Sequence, residues 1–243
     1  MDISPPRLGI GLYFNRPAGP IPGTPLFDYD SLSIDGMNNS TLTDGQGIVQ
    51  WKNLGSLGAG FDLNSPTTPL SDPFFRLIAT PGKLNNLPAV ESPGGKQLQR
   101  IFALSGQNQP LTWAWVWRAA AGTGPDITSG AGNFQRLQVV FPGIRFGAGL
   151  ANIDPGVTVT PDTWESLIIT ADGAASNGTL NGTPFSMGNP GTDAENWLSF
   201  FESGGSSNDM IGFIARVIIW GVAPPSQATI AAYLDSIYGV NPQ

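Results

Sequence analysis

One stretch of this chain is suited to a stable helix, and it lies at the C-terminal end, so the fold upstream must be built from strands and turns. Ser226 is a suitable N-cap, and Pro224 and Pro225 block an earlier start. Ile230, Tyr233, Leu234 and Ile237 then fall at i, i+3, i+4 and i+7 before Gly239 supplies a left-handed stop. The run that leads into it, Gly212-Phe-Ile-Ala-Arg-Val-Ile-Ile-Trp220, reads as a strand. A strand feeding a short helix through Ala223-Pro-Pro-Ser226 is therefore the expected close of the domain.

From Phe27 onward the pattern is short apolar or alternating runs, among them residues 47–51, 74–78, 98–104, 111–118, 134–141, 163–170 and 213–220. Asp44-Gly45, Pro142-Gly143, Asp172-Gly173 and Asn181-Gly182 mark turns between them. So many short strands within 243 residues predict an all-β chain, an antiparallel two-sheet β-sandwich of jelly-roll type with one short C-terminal helix. Gly 32 and Pro 22 supply the turns, while 40% hydrophobic residues supply a core. Residues 1–26, interrupted by six prolines, read as an irregular N-terminal arm, and residues 27–243 as the sandwich. Within the arm Leu8, Ile10, Leu12 and Phe14 alternate with Gly or Tyr, so one side of it should bury, on its own sandwich or on a partner subunit.

Composition removes whole classes of chemistry. There is no Cys and no His, so disulfides, thiol nucleophiles, imidazole bases and nearly every transition-metal site are excluded. Charged residues make up 12%, against about 25% in typical domains. The net charge is −7 and the 11 Lys and Arg are scattered, so neither a nucleic-acid footprint nor a polybasic membrane anchor can be assembled. The start Met1-Asp-Ile-Ser-Pro-Pro-Arg7 has no apolar core of a signal peptide, and no run approaches a membrane span.

Trp113, Trp115 and Trp117 occupy alternate positions of one strand, so all three indoles should share a face, with Ala114 and Val116 on the other. A row of indoles could stack on sugar rings. Both faces of this run are apolar, however, which is the pattern of a strand buried between layers, and core is the expected role.

Several stretches resemble the concanavalin A-like, or laminin-G-like, jelly-roll superfamily of the kind found in bacteriophage and bacterial surface proteins. Leu42-Thr-Asp-Gly45 with Val49-Gln-Trp-Lys-Asn-Leu-Gly55, Asn86-Leu-Pro-Ala-Val90, Trp113 to Arg118, Trp164 to Thr170 with its DG and NG turns, and Ile214 to Gly239 carry the likeness in order. Together they span roughly residues 27 to 240. The resemblance implies the sandwich; it does not fix function, because this fold hosts lectins, hydrolases, adhesins and scaffolds.

Glycosidases of the superfamily carry a Glu-x-Asp-x-x-Glu strand pattern, which this chain lacks; Asp193-Ala-Glu195 is the nearest approach and sits in a loop-like stretch. No enzymatic activity is expected, and glycoside hydrolysis is the remotest alternative. Asp172, Asn177, Asn181, Asp193, Glu195, Asn208 and Asp209 are oxygen donors that a lectin could turn to Ca²⁺, but none forms a dense calcium loop, and Asp or Asn in turns ordinarily cap backbone. No cofactor is therefore expected, with Ca²⁺ the one ion these donors suit. Arg118, Arg136, Arg145 and Arg216 fall inside strands, where a guanidinium is expected on a solvated or subunit-facing side, paired with a carboxylate.

A surface-type domain with no export signal fits a virion, whose proteins assemble in the cytoplasm and are released by lysis. The expected function is a non-enzymatic bacteriophage structural protein, a capsid-decorating or fibre-associated subunit docked through its arm on other virion proteins and on copies of itself as a homo-oligomer, for which a trimer is one arrangement and the sequence does not fix the number. The alternative is a lectin-like module at an extracellular or cell surface that binds cell-surface glycans, with Trp197, Asp193 and Asn208 as its site.

Overall fold

The computed structural model describes residues 20–31, 42–65, 72–76, 84–101, 108–121, 126–128, 135–149, 152–193, 197–201 and 210–240. They form strands β1 (Phe27–Asp30), β2 (Gln50–Trp51), β3 (Leu63–Asn64), β4 (Phe74–Arg76), β5 (Ala89–Pro93), β6 (Leu98–Ile101), β7 (Leu111–Ala119), β8 (Asp126–Thr128), β9 (Gln135–Val140), β10 (Gly143–Ala148), β11 (Glu165–Ala171), β12 (Ser176–Leu180), β13 (Thr183–Gly188), β14 (Trp197–Phe200) and β15 (Ile211–Trp220), then helix α1 (Gln227–Tyr238). Leu8, Ile10, Leu12 and Phe14 of the arm lie outside the described residues.

The strands make two antiparallel sheets. One has eight strands in the order β13-β12-β11-β7-β15-β5-β4, with β1 also paired to β15; the other has seven, β10-β9-β8-β14-β6-β3-β2. Strand β15 is long enough to carry two short neighbours on one side, β5 against Ile211 to Ile214 and β1 against Arg216 to Ile219, while β7 lines its other side. A bulge at Ala215 separates the two stretches.

The core lies between the sheets. Trp113, Trp115 and Trp117 of β7 enter it with at most 1% exposure, beside Leu167 and Ile169 of β11, Val217 and Ile219 of β15, and Leu198 and Phe200 of β14. On the other face of β7, Ala114 and Val116 join Ile168, Ile218 and Trp220 beneath Ile230, Tyr233, Leu234 and Ile237 of α1. The tryptophan strand is thus buried on both faces, as its apolar run predicts. Helix α1 begins where the sequence places it: the Thr229 N–H donates to the Ser226 hydroxyl (3.1 Å), and Gly239 closes it at φ 60° with its N–H on Asp235 O.

The Trp51-x-Asn53-x-Gly55 motif gains a mechanical explanation. Trp51 is fully buried in the core. The Asn53 Oδ1 accepts from the N–H groups of Asp28 and Gly55 (both 2.9 Å), which fastens this loop to β1. Gly55 lies so close to β1 that a Cβ there would meet Leu26 O at 2.3 Å.

Arg216 departs from expectation. It is paired with carboxylates, but on no solvated face: its bulge-adjacent position turns it under α1, where it is 1% exposed. Nε and Nη2 donate to the two oxygens of Asp28 (3.0 Å each), Nη1 lies 3.2 Å from Asp30 Oδ2 and donates to the Tyr233 hydroxyl at 3.0 Å. Burial disfavours its charge, but Asp30 and Asp28 outweigh that and hold its pKa well above the usual arginine value. Arg118, Arg136 and Arg145 keep to the partly solvated strand positions expected of them, and Arg118 pairs with Asp162 at 3.2 Å.

Candidate functional site

The ladder registers bring Ile101, Gln135, Ala148 and Trp197 to one end of the seven-stranded sheet. Residues 189–193 tie that end to the other sheet: the Ala148 N–H donates to Pro190 O (2.8 Å) and the Asp193 N–H to Ala148 O (2.9 Å). The Gln109 amide donates to Gly191 O and Asp193 O (3.2 Å each), and Gln109 Oε1 accepts from the Gly173 N–H (2.9 Å). Asp193 is exposed, and Gly149 leaves room for its carboxylate, since a Cβ there would sit 2.3 Å from Asp193 Cγ. Two of the three residues expected to bind glycan therefore share one end of the sandwich, Asp193 in this anchored loop and Trp197 opening β14 in register with Ile101. Asn208, like Glu195, lies outside the described residues.

Two positions along β14 from Trp197 is Ser199, and it ends a straight row that sequence inspection misses. Gln50 of β2 stands opposite Asn64 of β3, Asn64 opposite Gln99 of β6, and Gln99 opposite Ser199 of β14. Their strand neighbours Trp51, Leu63, Leu98, Leu198 and Phe200 enter the core, so alternation puts the row on the outer face of the seven-stranded sheet. Gln50 Nε2 donates to Asn64 Oδ1 (3.1 Å). Asn64 Nδ2 donates to Asp62 O (3.1 Å). Gln97 Nε2, on the same face just before β6, donates to Gln99 Oε1 (3.2 Å) and Ser199 Oγ (2.9 Å). Gln97 and Ser199 are buried, while Gln50, Asn64 and Gln99 are half-buried. These bonds use only part of each amide: the Gln99 Nε2 donors and the Gln50 Oε1 acceptor have no protein partner among the described residues. At the far side of this face Arg145 pairs across to Gln138, whose Oε1 accepts from Asn152 Nδ2 at 2.9 Å.

Carboxylate chemistry is concentrated elsewhere. Glu165, opposite Trp117, sits at the other end of β11 from the Asp193 loop and is 2% exposed. Burial pushes its pKa up from 4.5 to about 7, against the Thr160 N–H (3.0 Å) and the Asn181 side chain, which favour the ionised form. It holds a proton near neutrality, but the adjacent Asp162 is engaged by Arg118. The Asn181 Oδ1 also accepts from the Ser166 N–H (2.9 Å) and Asn177 Nδ2 donates to Ala175 O (3.0 Å), so these turn residues bind backbone. Among the described residues no three acidic side chains gather in a group able to hold a metal ion.

No protein-family model and no curated protein matches the chain. Solved structures do. A sialidase of Trypanosoma rangeli superposes with TM-score 0.55 at 12% identity, covering 89% of this chain and 33% of the sialidase. An α-L-arabinofuranosidase gives TM-score 0.55 at 15% identity, covering 80% of this chain and 51% of that one. The receptor-binding domain of botulinum neurotoxin type G gives TM-score 0.55 at 11% identity, covering 90% and 51%. The chain thus spans a third to a half of these structures. At such identities the likeness is one of fold, and by fold this chain is a two-sheet β-sandwich with one C-terminal helix.

Proposed function

We propose that this chain is a non-enzymatic, lectin-like glycan-binding module of the concanavalin A-like kind. The observation that carries this reading is the registered row Gln50–Asn64–Gln99–Ser199, with Gln97 beside it. Sugar hydroxyls both donate and accept, and amides do the same from one planar group, so a row of half-used amides is suited to them. A protein partner would call for aromatic or Arg anchors and a nucleic acid for a basic stripe, and the row contains neither. The anchored Asp193 loop and the strand position of Trp197 lie at the end of the same sheet. The test is a glycan-array screen of the full chain, run with calcium and with a chelator. Reproducible binding in both conditions is the expected result, since the row needs no metal; a blank array removes the reading, and chelator-sensitive binding moves the site to the Asp and Asn loops.

The second reading is the virion subunit docked through its arm, as a homo-oligomer. The root of the arm favours it: Trp220 Nε1 donates to Pro22 O (2.8 Å) and the Leu26 N–H to Ile219 O (2.8 Å), so the chain before Pro20 departs from a fixed point. Both readings can hold in one chain, because a particle surface is a place from which to bind glycans. Deleting residues 1–19 should abolish incorporation into particles while leaving glycan binding intact; unchanged incorporation removes the docking claim.

A further inference from the structure

We infer that the ligand of the amide row is an internal segment of an unbranched, uncharged polysaccharide, laid across the strands, and not a terminal sugar held in a loop pocket. The inference rests on the lectin-like reading above and narrows it to a ligand class. Three features of the row carry it.

The first is shape. Gln50, Asn64, Gln99 and Ser199 are direct register partners on consecutive strands β2, β3, β6 and β14, so they form a line and not a ring. Neighbouring strands are about 4.8 Å apart, which makes the half-buried part of the row, Gln50 to Gln99, ~10 Å long, with the buried Ser199 closing its end. That interval is close to the advance per ring of an extended pyranose chain, so successive sugars can meet successive amides. A single ring would engage at most two of these positions and leave the others unused.

The second is charge. The row and Gln97 hold no ionisable group, in a chain whose net charge is −7. Two guanidinium groups on this face stand beyond it, the half-buried Arg136 of β9, in register with Gly147, and the exposed Arg145 of β10, in register with Gln138. An acidic polysaccharide would need a cation within the row.

The third is the mixture of free valences. Gln99 offers donors from Nε2 and Gln50 offers an acceptor from Oε1, while the cross-strand bonds Gln50–Asn64 and Gln97–Ser199 and the bond Gln97–Gln99 along β6 hold the amides in fixed orientation. A pre-set array of this kind loses little side-chain entropy on binding. It also rejects ligands that lack hydroxyls, because its amides would then be desolvated without partners.

The experiment is a calorimetric titration of the full chain with neutral β-1,4-linked glucose, mannose and xylose oligosaccharides, each from monosaccharide to hexasaccharide, with oligogalacturonides as the acidic counterpart. The expected result is, for one neutral series, an affinity that climbs at least tenfold from disaccharide to tetrasaccharide and then levels, together with at least a tenfold loss in Gln99→Leu. Asn64→Ala serves as the second variant should Gln99→Leu melt early, and it should show the same length-dependent loss. A monosaccharide that binds as tightly as its oligomers overturns the linear ligand, and a preference for oligogalacturonides overturns the uncharged one. Absence of binding to every glycan here and on the array overturns the lectin-like reading itself.

Discussion

Beneath α1, Arg216, Asp28 and Asp30 share a space from which water is excluded, and their charges are tolerable only together. The guanidinium meets Asp28 with both of its forked donors and lies 5.4 Å from the centre of the Tyr233 ring. Removing it leaves two carboxylates buried without their cation. Arg216→Ala should therefore cost roughly 3–5 kcal/mol in urea unfolding. A loss within experimental error would mean that the site is wet. None of this is legible in the sequence, because residues 28, 30, 216 and 233 meet only through the pairing of β1 with β15 and the return of α1. Glu165 poses the opposite problem, a buried carboxyl with no cation beside it among the described residues. Its folded pKa of about 7 lies above the ordinary 4.5, so the stability it contributes is fully present below about pH 4.5 and is lost as the pH rises through about 7. Wild-type stability should fall by on the order of 3 kcal/mol through this group between about pH 5 and about pH 8. Glu165→Gln, which keeps an oxygen for the Thr160 N–H, should flatten that decline in urea titrations across the range; an unchanged slope would contradict the assignment.

At the scale of elements, the strongest local signals were also the accurate ones. Strands β7 and β15 and helix α1 follow the expected pattern, because each is long and its apolar residues repeat with one period. The stretch 47–51 was expected to be one strand, but only Gln50 and Trp51 pair within it, with Gly47 bridging Phe74 across to β4. Its Val49 is half-exposed, so alternation lapses where the chain passes from one sheet to the other. Strands of two or three residues such as β3 and β8 carry too little pattern to be read at all. The Asn181-Gly182 turn, by contrast, is explicit: both residues have positive φ, 49° and 77°, as a two-residue hairpin between β12 and β13 requires. Terminal devices should act as their chemistry dictates. Gly239→Ala, which forces an L side chain into the left-handed region against Asn85, should cost about 1 kcal/mol, and Ser226→Ala a similar amount through the lost cap, both read from thermal unfolding. Gly55→Ala belongs to a different class, since its Cβ would collide with the backbone of Leu26, and soluble expression of that variant should collapse.

For the whole molecule, three layers divide the labour. The helix covers the outer face of the eight-stranded sheet, the tryptophan-rich core joins the two sheets, and the amide row lies on the outer face of the seven-stranded sheet. The two-sheet architecture was legible because strand and turn signals alternate along the chain. The row was not, because Gln50, Asn64, Gln97, Gln99 and Ser199 are each unremarkable polar positions until the register lines them up. Of the residues expected from the sequence to bind glycan, Asp193 and Trp197 lie at the end of the same sheet. The most direct test of the account is an NMR titration that follows side-chain amide resonances as the best-binding glycan is added. The NH₂ groups of Gln50, Asn64, Gln97 and Gln99 should shift together and saturate with one affinity. Shifts confined to Gln109, Asn152 and Asn189, with the row unmoved, would place binding in the loops and contradict it.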